Sequence, residues 1–110
     1  MNEPDALAAF AALSQETRLR IMRTLVRAGS DGMAAGALGE AIGGASSSRL
    51  SFHLAQLEHA GLVTSRRDGR FVIYAAAFPA LSGLITFLMR DCCQGRPEIC
   101  AVAVDALSCC

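Results

Sequence analysis

Residues 46–75 read SSSRLSFHLAQLEHAGLVTSRRDGRFVIYA, and this stretch decides how the chain folds. Three serines open it, and a serine hydroxyl can accept from the first unpaired N–H groups of a helix. Leu50, Leu54 and Leu57 follow at spacings of four and three, which puts them on one apolar stripe of a helix. Ala60-Gly61 ends the stripe, since glycine takes the left-handed backbone at a helix end without a Cβ clash. Val63 to Arg67 and Phe71 to Ala75 then read as two strands of β-branched and aromatic character. Asp68-Gly69 between them is a two-residue hairpin signal.

Helix, glycine and an arginine-tipped hairpin, in that order, predict a mainly α fold with a small β-hairpin. This is the layout of a winged helix-turn-helix, with residues 46–60 as recognition helix and 63–75 as wing. At about 100° per residue, Leu50, Leu54, Leu57 and part of His53 face the core. Ser48, Phe52, Ala55 and His59 lie opposite, with Arg49, Ser51 and Gln56 on the flanks. Short hydroxyls, an arginine and a glutamine can reach base edges and phosphates. The expected DNA contacts are Ser47, Ser48, Arg49, Ser51, His53 and Gln56 on the helix, with Arg66, Arg67 and Arg70 holding the backbone from the wing. His53 reads as a semi-buried packing residue or a phosphate contact in preference to a metal ligand. A solvated amphipathic helix followed by an ordinary hairpin shares the pattern, but the arginines and the scarcity of acids favour DNA.

The run SRLSFHLAQLEHAGLV with its basic hairpin resembles the recognition helix and wing of the ArsR/SmtB family of metal-sensing repressors. LSQETRLRIMRTL, from Leu13 to Leu25, resembles that family's second-helix signature. The resemblance spans roughly residues 5 to 90. It implies a homodimeric repressor of double-stranded operator DNA that leaves its operator when a toxic metal or metalloid binds.

A chain of 110 residues is expected to form a single domain, and at this size burial against a second copy would help stability. The formal net charge is zero, so there is no global basic signal. The ten basic residues are all arginine, four between Arg18 and Arg27 and four between Arg49 and Arg70. Arginine suits bidentate phosphate and guanine contacts, although a GC-rich genome would also explain the absence of lysine. No apolar run is long enough to cross a bilayer, and the start MNEPDALAAF lacks a basic signal-peptide lead. The expected location is cytoplasmic, with no membrane partner. Thiols there stay reduced, so the five cysteines read as ligands or redox groups and not as a disulfide framework.

Elsewhere, Pro4-Asp5 marks a helix start, and Leu7, Phe10 and Leu13 give it an apolar face. Ser14 is placed to cap a second helix running to about Ala28, with Leu19, Met22, Leu25 and Val26 as its buried face. Met33 to Ile42 reads as the first helix of the helix-turn-helix, weakened by Gly36 and Gly39, and Gly43-Gly44 as the turn. Residues 79–90 form an apolar helix with hydrophobic side chains on more than one face. It needs cover on both sides. The expectation is a homodimer through this C-terminal helix and the N-terminal one, against the alternative of a buried monomeric core helix.

The tail, residues 91–110, carries the second signal. In RDCCQGRPEIC, Cys92 and Cys93 follow the apolar helix, and Pro97 can start another helix reaching about Leu107, with Cys100 in its first turn. Helix-start amides, Arg90 and Arg96 favour thiolates. Three converging thiolates form a soft site. Zinc usually takes four ligands, whereas a three-sulfur cup suits a trivalent metalloid whose lone pair fills the fourth direction. The run DCC-x-GRPE-x-C also resembles the arsenite-binding segment of one branch of the arsenic-responsive repressors. That implies Cys92, Cys93 and Cys100 as ligands for As(III) or Sb(III), with no organic cofactor. Cys109 and Cys110 are open to three readings: a fourth ligand, a transfer site, or no role.

A thiol redox switch and a four-thiolate zinc or cadmium site that recruits the tail remain alternatives on the same fold. Against zinc, Met33–Ile42 lacks a Cys-x-Cys pair and the dimer helix lacks an Asp/His/Glu pattern. An enzyme such as a thiol-dependent arsenate reductase is disfavoured. Glu98 and Ile99 stand where a Cys-x5-Arg phosphate loop would need arginine. A metalloid buffer would leave the winged helix unexplained. The sequence thus predicts an arsenite-responsive or antimonite-responsive transcriptional repressor on an inverted-repeat operator.

Overall fold

The computed structural model describes residues 1–90. Five helices are α1 (Glu3–Leu13), α2 (Glu16–Ala28), α3 (Ala35–Ala41), α4 (Ser47–His59) and α5 (Phe78–Met89). Three strands are β1 (Met33–Ala34), β2 (Val63–Asp68) and β3 (Phe71–Ala76), and a 3-10 turn covers Gly29–Asp31. The sheet is antiparallel in the order β1-β3-β2. This is the mainly α, winged helix-turn-helix architecture expected from residues 46–75.

Local chemistry sets most of the boundaries. Asn2 and Asp5 form a reciprocal capping box at the start of α1, with Pro4 in the first turn. Ser14 does not cap α2 as expected. It ends α1, with its N–H donating to the Ala11 carbonyl, and Gln15 caps α2 by accepting from the Arg18 N–H at 2.9 Å. The longer glutamine side chain serves one residue later than the serine was expected to. Ser46 caps α4 through the Arg49 N–H. At the other end Gly61 takes φ 78°, and Leu62 and Gly61 donate to Leu57 and Glu58 at 3.0 and 2.9 Å. That pair of bonds is a Schellman stop, and it sends Leu62 into the core.

The hairpin register differs from expectation by one residue. Asp68 pairs with Phe71, so the two-residue loop is Gly69-Arg70 and Gly69 supplies the positive φ. The expected helix from Met33 is also shortened. Met33 and Ala34 pair with Tyr74 and Ile73 as β1, and α3 begins only at Ala35. Gly32 makes that pairing close. Its φ is 72°, and a Cβ there would land on the Tyr74 carbonyl.

The core gathers Ile21, Met22, Leu25, Leu38, Leu50, Leu54, Leu57, Leu62, Val63 and Leu84. On α2 the buried face is Ile21, Met22 and Leu25, whereas Leu19 and Val26, expected inside, are exposed. At 100° per residue those two sit about 100–120° from Leu25, on the flank. On α1 the alanines Ala6, Ala9 and Ala12 pack inward and leave Leu7 and Phe10 outside. On α5 only Leu84 is buried, and Phe78, Ile85 and Leu88 stay exposed. The two terminal helices of the described chain thus carry an uncovered apolar surface. Among the described residues no helix is long and apolar enough to cross a membrane.

Candidate nucleic-acid interface

The outward side of α4 is built by its inward side. Leu50, Leu54 and Leu57 lock one stripe into the core, which turns Ser48, Phe52, Ala55 and His59 to the exterior. Ser47, Ser48, Arg49, Ser51 and Gln56 are all exposed, as a surface that meets a ligand requires. Ser47 and Ser51 look along a cleft of about 220 Å3 against α3, whose other walls include Ala35, Gly36 and Glu40. Gln56 and His59 border a second cleft, against α1, with Ala8, Ala12 and Arg18.

His53 is the exception among the expected contacts. It is 7% exposed, so its ring faces the protein interior and not the outward face. Arg18 of α2 explains the placement. Its Nε donates to the Ala12 carbonyl at 2.6 Å, and its Nη1 lies 3.3 Å from His53 Nδ1. A guanidinium can only donate, so His53 is neutral, accepting at Nδ1 and keeping its proton on Nε2. Burial first, then the positive charges of Arg18 and Arg49, hold its pKa below the ordinary value. Arg18 thereby joins the end of α1, the start of α2 and the middle of α4. The sequence did hint at this, because Arg18 stands about 20° from Leu25 on the buried face of α2.

The wing arginines separate into two kinds. Arg66 donates from Nη2 to the Asp31 carbonyl at 2.7 Å, which ties β2 to the 3-10 turn. Among the described residues Arg49, Arg67 and Arg70 make no side-chain hydrogen bond or ion pair. Glu58 is the only acid on α4, and Ser65 Oγ donates to it at 3.3 Å on the hairpin side. The same carboxylate adds to burial in raising the Tyr74 pKa at the base of the wing. The outward sector of α4 itself therefore carries no acid. On α2, Arg20 is held by Glu16 at 2.6 Å, while Arg23 and Arg27 border a cleft with Gly43.

Among the described residues no three His, Cys, Asp or Glu side chains cluster to hold a metal ion. Cys92, Cys93, Cys100, Cys109 and Cys110 lie outside the described residues.

The geometry has clear relatives. A helix-turn-helix domain family matches residues 13–66, from the end of α1 into the wing. The HTH-type transcriptional regulator YgaV of Escherichia coli is 36% identical over 88 residues, covering 80% of this chain and 86% of that protein. An ArsR-like transcriptional regulator from Rhodococcus sp. RHA1 superposes with a TM-score of 0.71 at 29% identity, covering 94% of this chain and 93% of that one. The chain belongs to the HTH-type transcriptional regulators. A further similar structure is the homodimeric winged helix-turn-helix DNA-binding domain Mb0332 from Mycobacterium bovis, with a TM-score of 0.63 and 26% identity over 80% of this chain and 81% of that one. These relatives are regulators and not enzymes. In this regulator the matched segment contains all of α4, with its exposed serines and Arg49, and the first four residues of β2 up to Arg66.

Proposed function

We propose that the regulator is a homodimeric repressor that holds an inverted-repeat operator and releases it on binding arsenite or antimonite. The observation that carries the DNA half is the exposed outward sector of α4, which carries Arg49 on its flank and no acid, followed in the chain by a wing with exposed Arg67 and Arg70. Two copies related by a two-fold axis would set their α4 helices into successive major grooves with the wings over the flanking backbone. The exposed Leu7, Phe10, Ile85 and Leu88 support pairing through α1 and α5. The homodimeric state of the related Mb0332 domain points the same way.

The sensing half rests on the sequence RDCCQGRPEIC, residues 90–100. Three thiolates at Cys92, Cys93 and Cys100 supply the soft trigonal donor set that a trivalent metalloid takes. In the reducing cytoplasm these thiols stay available. The metalloid must bind the DNA-free form better than the DNA-bound form, since otherwise it cannot shift the equilibrium. In the sequence, Cys92 and Cys93 come three and four residues after the end of α5, and Cys100 eleven.

A gel shift on a duplex selected from a random-sequence pool tests both halves. Arsenite or antimonite should release the wild-type protein, and Cys100→Ser should keep DNA binding but ignore arsenite. Release by zinc or by an oxidant, with none by arsenite, would replace the metalloid by the zinc/cadmium or redox reading. Unchanged arsenite response in Cys100→Ser would remove that residue from the ligand set.

A further inference from the structure

We propose that Phe52, with Ala55 beside it, reads the 5-methyl group of thymine in the major groove, which makes it a specificity-determining residue. The inference rests on the DNA-binding reading above and goes beyond it by naming the chemical group that is read.

Phe52 sits at the middle of α4 and is 57% exposed, although its neighbours His53 and Leu54 are buried. Burying such a side chain would gain roughly 2 kcal/mol, and no part of the described chain covers it. It stands about 200° from Leu50 around the helix, in one sector with Ser48 and Ala55. That sector is the one α4 would present to base edges. It belongs to α4, whereas the exposed Leu7, Ile85 and Leu88 belong to α1 and α5.

The surroundings identify the occupant. Arg49 lies one turn before Phe52, and Glu58 is drawn toward the hairpin by Ser65. An exposed aromatic one turn from Arg49, with no acid in its own sector of α4, fits a polyanion with an apolar feature. In the major groove that feature is the thymine methyl, which Phe and Ala side chains contact without a donor or acceptor. The ring is also held in place. It meets His53 edge to face, with centroids 5.4 Å apart and planes at 68°, and His53 is itself fixed by Arg18. A ring so held loses little freedom on binding.

The test uses synthetic duplexes of a selected operator in which each thymine is replaced in turn by deoxyuridine. This removes the methyl and keeps base pairing and O4. Synthetic DNA also carries no 5-methylcytosine, which would offer the same methyl. Fluorescence anisotropy gives Kd for wild type, Phe52→Ala and Phe52→Gln. At one or two positions per half-site, deoxyuridine should weaken wild-type binding about three- to fivefold, the size expected for one methyl. Both variants should bind the thymine and deoxyuridine duplexes equally there, with melting temperatures like wild type because the ring is exposed. Wild-type binding that ignores every methyl would overturn the assignment, as would discrimination that persists in Phe52→Ala. Failure to bind any duplex would instead overturn the DNA-binding reading, and this assignment with it.

Discussion

Arg18 is a single side chain on which three helices converge. Its guanidinium satisfies the Ala12 carbonyl at the end of α1 and holds His53 of α4 in one tautomer. Hydrogen bonds from a charged group contribute about 1.5–3 kcal/mol each when buried, and the partial exposure of Arg18 reduces this. Arg18→Ala should therefore lower unfolding free energy by about 1–2 kcal/mol in urea titrations. It should also weaken operator binding, although Arg18 itself is not among the expected DNA contacts. The same pair makes stability depend on pH. The His53 pKa is depressed in the fold, so the folded chain resists a proton that the unfolded chain accepts. Stability is complete above the ordinary histidine value of about 6.5 and falls as pH drops below it. Melting temperatures from pH 8 to 5 should show that fall, and His53→Asn, which keeps an acceptor but does not titrate, should flatten it. Arg66 and Arg67 are neighbours with separate tasks. Arg67→Ala should weaken binding to all sequences and reduce the slope of log K against log salt by about one. Arg66→Ala should chiefly lower thermal stability, because its guanidinium is engaged with Asp31. Equal salt slopes for the two variants would contradict that division.

At the scale of elements, the helix-turn-helix and its wing were legible because their signals are long and periodic. Leu50, Leu54 and Leu57 give α4 its face, and Gly61 gives its end. β1 was not legible. Two residues carry no periodicity, and Met33-Ala34 forms a strand only because β3 offers an edge. The position that permits it is Gly32. Gly32→Ala should cost more than 2 kcal/mol, since it combines a positive φ with a clash on β3 backbone, and should loosen the wing. Gly36 is the opposite case. A Cβ there meets nothing within 4 Å, so Gly36→Ala should stabilise α3 by about 0.5 kcal/mol. The buried Gly39 lies where an added Cβ would be 3.4 Å from Leu50, so alanine there would sit in contact with α4. Thermal denaturation of Gly32→Ala and Gly36→Ala should move in opposite directions. The exposed placement of Leu19 and Val26 was missed because an apolar residue on a helix flank reads like one on its face.

For the whole molecule, the question is what covers α1 and α5. Leu7 is 61% exposed and Leu88 59%, an apolar surface that costs solubility unless it is partnered. A dimer through this surface should sediment as two chains. Leu88→Glu should shift it toward monomer and reduce operator affinity at least tenfold, since one half-site is then held alone. The exposure of the expected contact residues was legible apart from His53, whose inward turn depends on Arg18 of another helix. The proposed thiol site, Cys92, Cys93 and Cys100, is a reading of cysteine spacing in the sequence and lies outside the described residues. Its link to DNA is a property of two states and is open to direct measurement. A fluorescent operator duplex saturated with wild-type protein can be titrated with arsenite while anisotropy is followed. Anisotropy should fall to the free-duplex value as about one arsenite is taken up per chain. Anisotropy that stays at the bound value once the thiols are loaded would contradict it.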